Sequence, residues 1–173
     1  MKKFLSLLLL ATLLLTFCAC TSAAPKAFSS NGMTITLTSG FTETTQEGYT
    51  ACYDSKDVAV FTLKEAFTGQ LITVDGASGN IKKDKDLTLN EYAKVVRTAN
   101  ISKNPSATKQ EDGLTYFEYT FLNEQLNKTY SYFCVMYKAS DAFWLVQFAC
   151  LEGKYETLRP SFVEWAKTVS FEA

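Results

Sequence analysis

Residues 33–38 (Met-Thr-Ile-Thr-Leu-Thr) alternate apolar and polar side chains without a break, which predicts a strand with one buried face. Ser39-Gly40 ends it. Residues 49–53 and 58–63 are two short runs rich in β-formers, and Asp54-Ser55-Lys56-Asp57 between them has turn composition, so the pair predicts a hairpin. Residues 64–87 carry no clear period. Leu71-Ile72-Thr73-Val74 suits a short strand or part of a helix, and Gly69, Gly76 and Gly79 argue against any long element. Thr88 with Glu91 three residues later makes a capping box, and Leu89, Tyr92, Ala93, Val96 and Ala99 follow as one apolar stripe. A helix is predicted there, stopping at Asn100.

The second half holds three long β-rich runs. In residues 114–122 the odd positions Thr115, Phe117, Tyr119 and Phe121 form one face, and Leu114, Tyr116, Glu118 and Thr120 form a mixed one. Residues 129–137 and 143–150 are apolar on both faces. Short connections, 123–128 and 138–142, make the pairing antiparallel. Strands apolar on both faces need cover on both faces. Leu158, Phe162, Trp165, Ala166 and Val169 supply a second apolar helix face, with Pro160 expected near that helix's start. The predicted architecture is α+β: one domain, a mainly antiparallel β-sheet flanked by helices.

The N-terminus reads as an address. Lys2 and Lys3 precede an apolar run over residues 4–17, interrupted only by Ser6, Thr12 and Thr16. Fourteen residues make a helix of roughly 21 Å, short of a ~30 Å hydrocarbon core, so a signal peptide fits better than a membrane span. Phe17-Cys18-Ala19-Cys20 follows and resembles the lipobox of bacterial lipoproteins, in which a small residue precedes the cysteine that is acylated and becomes the new N-terminus. Ala19 before Cys20 fits that pattern; Phe17 three residues before Cys20 departs from it, since leucine is usual there. The resemblance implies a signal peptide over 1–19, diacylation (palmitate-type chains) at Cys20, and a small, proline-containing tether through residue 27. The domain is then expected over 28–173, on the extracytoplasmic face of the cell membrane.

Charge and composition narrow the chemistry. The chain has 17 basic and 18 acidic side chains and no histidine. Cleavage before Cys20 removes Lys2 and Lys3, leaving 15 basic against 18 acidic residues and a net charge of −3. Nucleic acid is excluded as a partner for want of a basic field, and the acyl group is expected to be the main membrane contact. Without histidine, serine–histidine and cysteine–histidine catalysis are excluded, as are H-E-x-x-H metal sites. Cys52, Cys134 and Cys150 remain in the mature chain, all within apolar runs. Three buried thiols, or one disulfide plus one thiol, are the readings open.

The acid pairs Asp54/Asp57, Asp84/Asp86 and Glu111/Asp112 lie in turn-like composition and read as solvated charge. Glu118, on the mixed strand face, is the acid suited to partial burial in a salt bridge. No phosphate loop, C-x-x-C spacing or calcium loop occurs, so no catalytic residue, metal or cofactor is assigned. The aromatic residues concentrate in the last three strands and final helix. Most are expected to fill the core, while Tyr116, Tyr130, Tyr132 and Tyr137 are the candidates for an exposed interaction patch.

Gly32-Met-Thr-Ile-Thr-Leu-Thr-Ser-Gly-Phe41, Leu87-Thr-Leu-Asn-Glu-Tyr92 and Gly113-Leu-Thr-Tyr-Phe-Glu-Tyr119 resemble successive blocks of the PsbP-like family. The ending Phe143-Trp-Leu-Val-Gln-Phe148, Tyr155, Arg159-Pro-Ser-Phe162 and Val169-Ser-Phe171 is similar to its last strand and closing helix. Bacterial lipoproteins of the LpqN and DcrB kind share that fold. The resemblance implies an antiparallel sheet between helices in a non-enzymatic binding or assembly protein, with a protein partner in the cell envelope. The residues by themselves leave a small-molecule binding lipoprotein, for a sugar-like or apolar ligand, as the second reading.

Overall fold

The computed structural model describes residues 23–74 and 80–172. The expected signal peptide over 1–19 and Cys20 lie outside the described residues.

Seven strands form the central sheet, every neighbouring pair antiparallel: β3 (Thr42–Thr44), β4 (Ala51–Asp54), β5 (Val58–Ala66), β11 (Ala142–Leu151), β10 (Lys128–Lys138), β9 (Leu114–Asn123) and β8 (Lys109–Glu111), in that spatial order. The predicted hairpin over residues 49–63 is β4–β5, turning at residues 55–57. The three long C-terminal runs are β9, β10 and β11, side by side as their short connections require.

Both faces of this sheet are covered, as two-sided apolar strands demand. On one face Phe133, Val135, Trp144, Val146 and Phe148 pack with Phe162 and Ala166 of helix α2 (Tyr155–Lys167). The same layer contains a small sheet of β1 (Pro25–Ser30), β2 (Met33–Thr38) and β12 (Ser170–Phe171), which buries Phe28, Met33, Ile35 and Leu37. On the other face Phe117, Tyr119, Cys134, Met136, Phe143 and Leu145 pack with Tyr92, Ala93 and Val96 of helix α1 (Leu89–Ala99). The capping box at Thr88 and Glu91 forms in both directions, and Asn100 caps the far end.

Three expectations change, and the open choice between strand and helix at residues 71–74 resolves to a strand. The tether ends early, because residues 25–27 already pair with Thr38, Leu37 and Thr36 as the start of β1. Residues 71–73 and 81–83 form a separate two-stranded hairpin, β6 (Leu71–Thr73) with β7 (Ile81–Lys83). Asp84 is not solvated. It is buried, and its carboxylate accepts from Thr68 N (2.6 Å), Thr68 Oγ1 (3.1 Å), Gly69 N (3.0 Å) and Lys85 N (2.6 Å). Pro160 is the sixth residue of α2 rather than part of its first turn. It is exposed, as is Glu156, whose carbonyl loses the helical bond to the missing N–H and meets solvent instead.

Candidate interaction surface

The four tyrosines singled out from sequence do not form one patch, because they lie on opposite faces of the sheet. Tyr116 and Tyr137 belong to the α2 side. Tyr116 is buried, donates its hydroxyl to Glu111 Oε2 at 2.7 Å and accepts from Arg159 Nη2 at 3.0 Å. Tyr137 donates to the Ala166 carbonyl at 2.8 Å. Burial holds both phenols above their ordinary pKa. Each hydroxyl is committed to holding α2 or the adjoining strand β8, so neither ring is available to a partner.

Tyr130 and Tyr132 stand on the α1 side, and here the structure leaves an opening. Helix α1 covers the sheet only as far as Tyr119 and Tyr132. Beyond them the same face continues as an open groove of about 450 Å³, whose walls include Phe61, Phe121, Leu126, Tyr130, Tyr132 and Ala149. The register explains the alignment: Tyr130 pairs with Phe121 and Tyr132 with Tyr119, so four rings from β9 and β10 project from one face. Tyr119 and Tyr132 stack at 4.6 Å with an interplanar angle of 9°, and Phe61 on β5 packs against Tyr49 at 5.0 Å with the rings tilted by 36°. Phe121 is 42% exposed and Leu126 is 57% exposed.

Polar atoms meet at the inner end of this face. The Tyr49 hydroxyl donates to Gln147 Oε1 at 3.4 Å, and Gln147 Nε2 donates to Cys134 Sγ at 3.6 Å. Burial, then the neighbouring Tyr49 and Cys134, raise the pKa of Tyr132. Lysines and carboxylates alternate around the outer rim. Lys154 pairs with Asp57 at 2.5 Å, Asp54 accepts from Thr44 Oγ1 at 3.1 Å, and Lys56 and Lys128 are exposed. Sequence reasoning missed Tyr49, Phe61, Tyr119 and Phe121 as partners of Tyr130 and Tyr132. Strand parity carries the signal: with residues 129–137 paired to 114–122, choosing the face of Tyr132 also selects Phe121 or Tyr119 across the ladder and discards Tyr116 and Tyr137.

Glu118 sits where the mixed strand face predicts, in a salt bridge on the α2 side. Its carboxylate receives Arg159 Nε and the Tyr155 hydroxyl, both at 2.7 Å on Oε1, and Lys109 Nζ at 2.9 Å on Oε2. Burial works against ionisation, but these three donors prevail and hold the carboxyl below its usual range. With both oxygens occupied by fixed cations and a phenol, Glu118 acts as a fastener between β9 and α2. All three thiols, Cys52, Cys134 and Cys150, are free and buried. Among the described residues no group of three or more cysteine, aspartate or glutamate side chains is placed to hold a metal ion.

No family model matches the sequence, and no curated protein matches it. The fold, however, is similar to the solution structure of cyanobacterial PsbP (CyanoP) from Synechocystis sp. PCC 6803, with a TM-score of 0.52 and 12% identity over 91% of this chain and 99% of that one. A crystal structure of a protein from Bacteroides thetaiotaomicron VPI-5482 aligns with a TM-score of 0.49 and 12% identity, over 86% of this chain and 48% of that one. The fold resemblance read from the blocks at residues 32–41, 87–92, 113–119 and 143–171 holds: a mainly antiparallel sheet with a helix on each side is a PsbP-like α+β fold.

Proposed function

We propose that the chain is a membrane-anchored extracytoplasmic lipoprotein, acylated at Cys20 and related to the LpqN and DcrB lipoproteins, whose domain is a non-catalytic binding or assembly module. The observation that carries the reading is the groove beside α1. Aromatic side chains that a closed core would bury are left open along one sheet face, next to a polar rim. Tyrosine and phenylalanine in that setting supply large apolar contact area, and the tyrosine tips add hydrogen bonds, as binding surfaces require. The lipobox-like Phe17-Cys18-Ala19-Cys20 supports the anchor.

A photo-crosslinking side chain at Tyr130 in intact cells tests this. It is expected to capture a specific envelope protein that the same group at Gln110, away from the groove, does not. Recovery of the uncrosslinked chain alone from both positions, across growth conditions, overturns the reading.

The meeting of Gln147, Tyr49 and Tyr132 at the groove's inner end favours a second reading, a small sugar-like ligand. The volume lies within the range of ligand pockets, and polar groups converge on apolar walls. Under that reading Tyr132→Ala abolishes ligand-induced changes in tyrosine fluorescence, and the Tyr130 crosslink finds no protein.

A further inference from the structure

We propose that the β9–β10 hairpin tip is a second membrane contact, docking into the lipid interface beside the acylated N-terminus. The proposal rests on the anchor at Cys20 described above. The register places several features at one end of the central sheet: the β4–β5 turn, the β9–β10 turn, the end of β11, and Thr42, which pairs with Asp54. The N-terminus reaches the same end. Ser39 N donates to the Ala24 carbonyl at 2.6 Å, and Ser39 is only three residues from Thr42. Cys20 lies four residues before Ala24, so its lipid is within about 14 Å of that carbonyl. The tether is too short to let the opposite end of the sheet turn to the bilayer.

That end carries apolar side chains the domain does not cover. Of the six large hydrophobic side chains exposed among the described residues, Phe121, Leu122 and Leu126 belong to this hairpin, while Leu71 and Ile81 lie on the β6–β7 hairpin and Ile101 follows α1. Strand parity sends Phe121 to the α1 side and Leu122 to the α2 side, and Leu126 sits in the turn. A partner seated in the groove covers Phe121 and Leu126 but leaves Leu122 on the opposite face, whereas a lipid interface surrounds the tip and takes all three. The tip is ordered: Leu126 N donates to Asn123 Oδ1 at 3.0 Å, and Asn127 N donates to the Glu124 carbonyl at 3.3 Å. Tyr130 and Lys128 follow at the depth where a phenol and a snorkelling ammonium sit well at a bilayer surface. Lys56, Lys128 and Lys154 are offset by Asp54, Asp57, Glu124 and Glu152 at this end, so the contact is apolar and indifferent to lipid charge.

The test uses the full chain purified from membranes and reconstituted into vesicles of zwitterionic or anionic phospholipid containing lipids brominated near the headgroup. The L126W variant is expected to lose about half of its added fluorescence in both vesicle types, a depth of ~5–10 Å being within reach of such quenchers. The L71W variant, on the exposed outer face of β6 at the other end, stays unquenched. Leu122→Asp introduced into the L126W chain restores the fluorescence. Unquenched L126W, equal quenching of both variants, or quenching confined to anionic vesicles overturns the docking, whatever the state of Cys20. The mass of the N-terminal peptide reads the anchor separately, and an unmodified Cys20 overturns that reading alone.

Discussion

At the scale of single residues, Asp84 shows how a local reading goes astray. Within Lys82-Lys83-Asp84-Lys85-Asp86 it has the look of solvated charge, yet it is buried under donors from Thr68, Gly69 and Lys85. Two of those donors belong to residues fifteen and sixteen positions earlier, and the reversal that returns the chain to them has no periodicity to announce it. Burial disfavours the carboxylate, but the bonds from Thr68, Lys85 and Gly69 outweigh it and hold its pKa low. Asp84→Asn replaces an acceptor oxygen with a donor facing the Thr68 and Gly69 amides. Native-state hydrogen exchange is expected to show both amides losing protection, with α1 unaffected; unchanged protection would refute the role. The cysteines were easier to read, because apolar neighbours on both sides mark them as core. Burial pushes the Cys134 thiol up to about 12 and the Cys150 thiol to about 11. Alkylation at neutral pH is therefore expected to leave the mass of the folded protein unchanged, and all three of Cys52, Cys134 and Cys150 to react after unfolding.

At the scale of elements, what was legible depended on how far apart the determining residues lie. Helix α1 could be placed to its caps because Thr88, Glu91 and the apolar stripe are all within one short segment. Thr88→Ala is expected to destabilise the domain by about 1 kcal/mol, read as a lowered urea midpoint. Strands β9 to β11 were legible for the same reason, but the covered part of each face was not, since that depends on how far α2 reaches over one face and α1 over the other. Composition therefore offers Tyr116 and Tyr137 as surface rings although β8 and α2 engage them, and Tyr130 and Tyr132 lie on the part of the α1 side that the helix leaves open. The Glu118 cluster couples two elements directly. Glu118→Ala leaves Arg159 and Tyr155 without their shared acceptor, at an expected cost of about 2 kcal/mol at neutral pH. Because the folded carboxyl titrates below its unfolded value, its stabilisation is complete above the ordinary carboxylate range and fades as pH falls through the folded pKa. Urea midpoints of the parent and of Glu118→Gln should thus draw together as the pH falls below the ordinary carboxylate range and the parent loses its carboxylate; a gap that does not narrow at all over that fall would assign the stabilisation to packing.

At the scale of the whole molecule, the three layers depend on a strand that sequence composition assigns to a linker. Residues 25–27 (Pro-Lys-Ala) have tether-like composition, and Pro25 contributes no N–H, but a strand's first residue needs none. Their partners are already half of a buried layer: β2 alternates buried and half-buried positions, with Ile35 and Leu37 packed on the α2 side of the sheet. β2 is paired at one end with β12, where Ser170 opposes Thr34, and along its whole length with β1. A domain beginning at residue 28 keeps Phe28 in the core but strips β2 of the pairs at Thr36, Leu37 and Thr38, and of the Ala24 carbonyl that receives Ser39 N. Two or three net hydrogen bonds at about 1 kcal/mol each put the loss near 2–3 kcal/mol. A chain starting at Ala23 is accordingly expected to unfold at a higher urea concentration than one starting at Phe28, with the same dependence on denaturant, because the surface exposed on unfolding barely differs. Equal midpoints would return residues 25–27 to the tether and lengthen the reach from Cys20 to the folded body. The proposed bilayer contact of the β9–β10 tip requires that reach to be short, so the truncation series tests that proposal as well as the domain's stability.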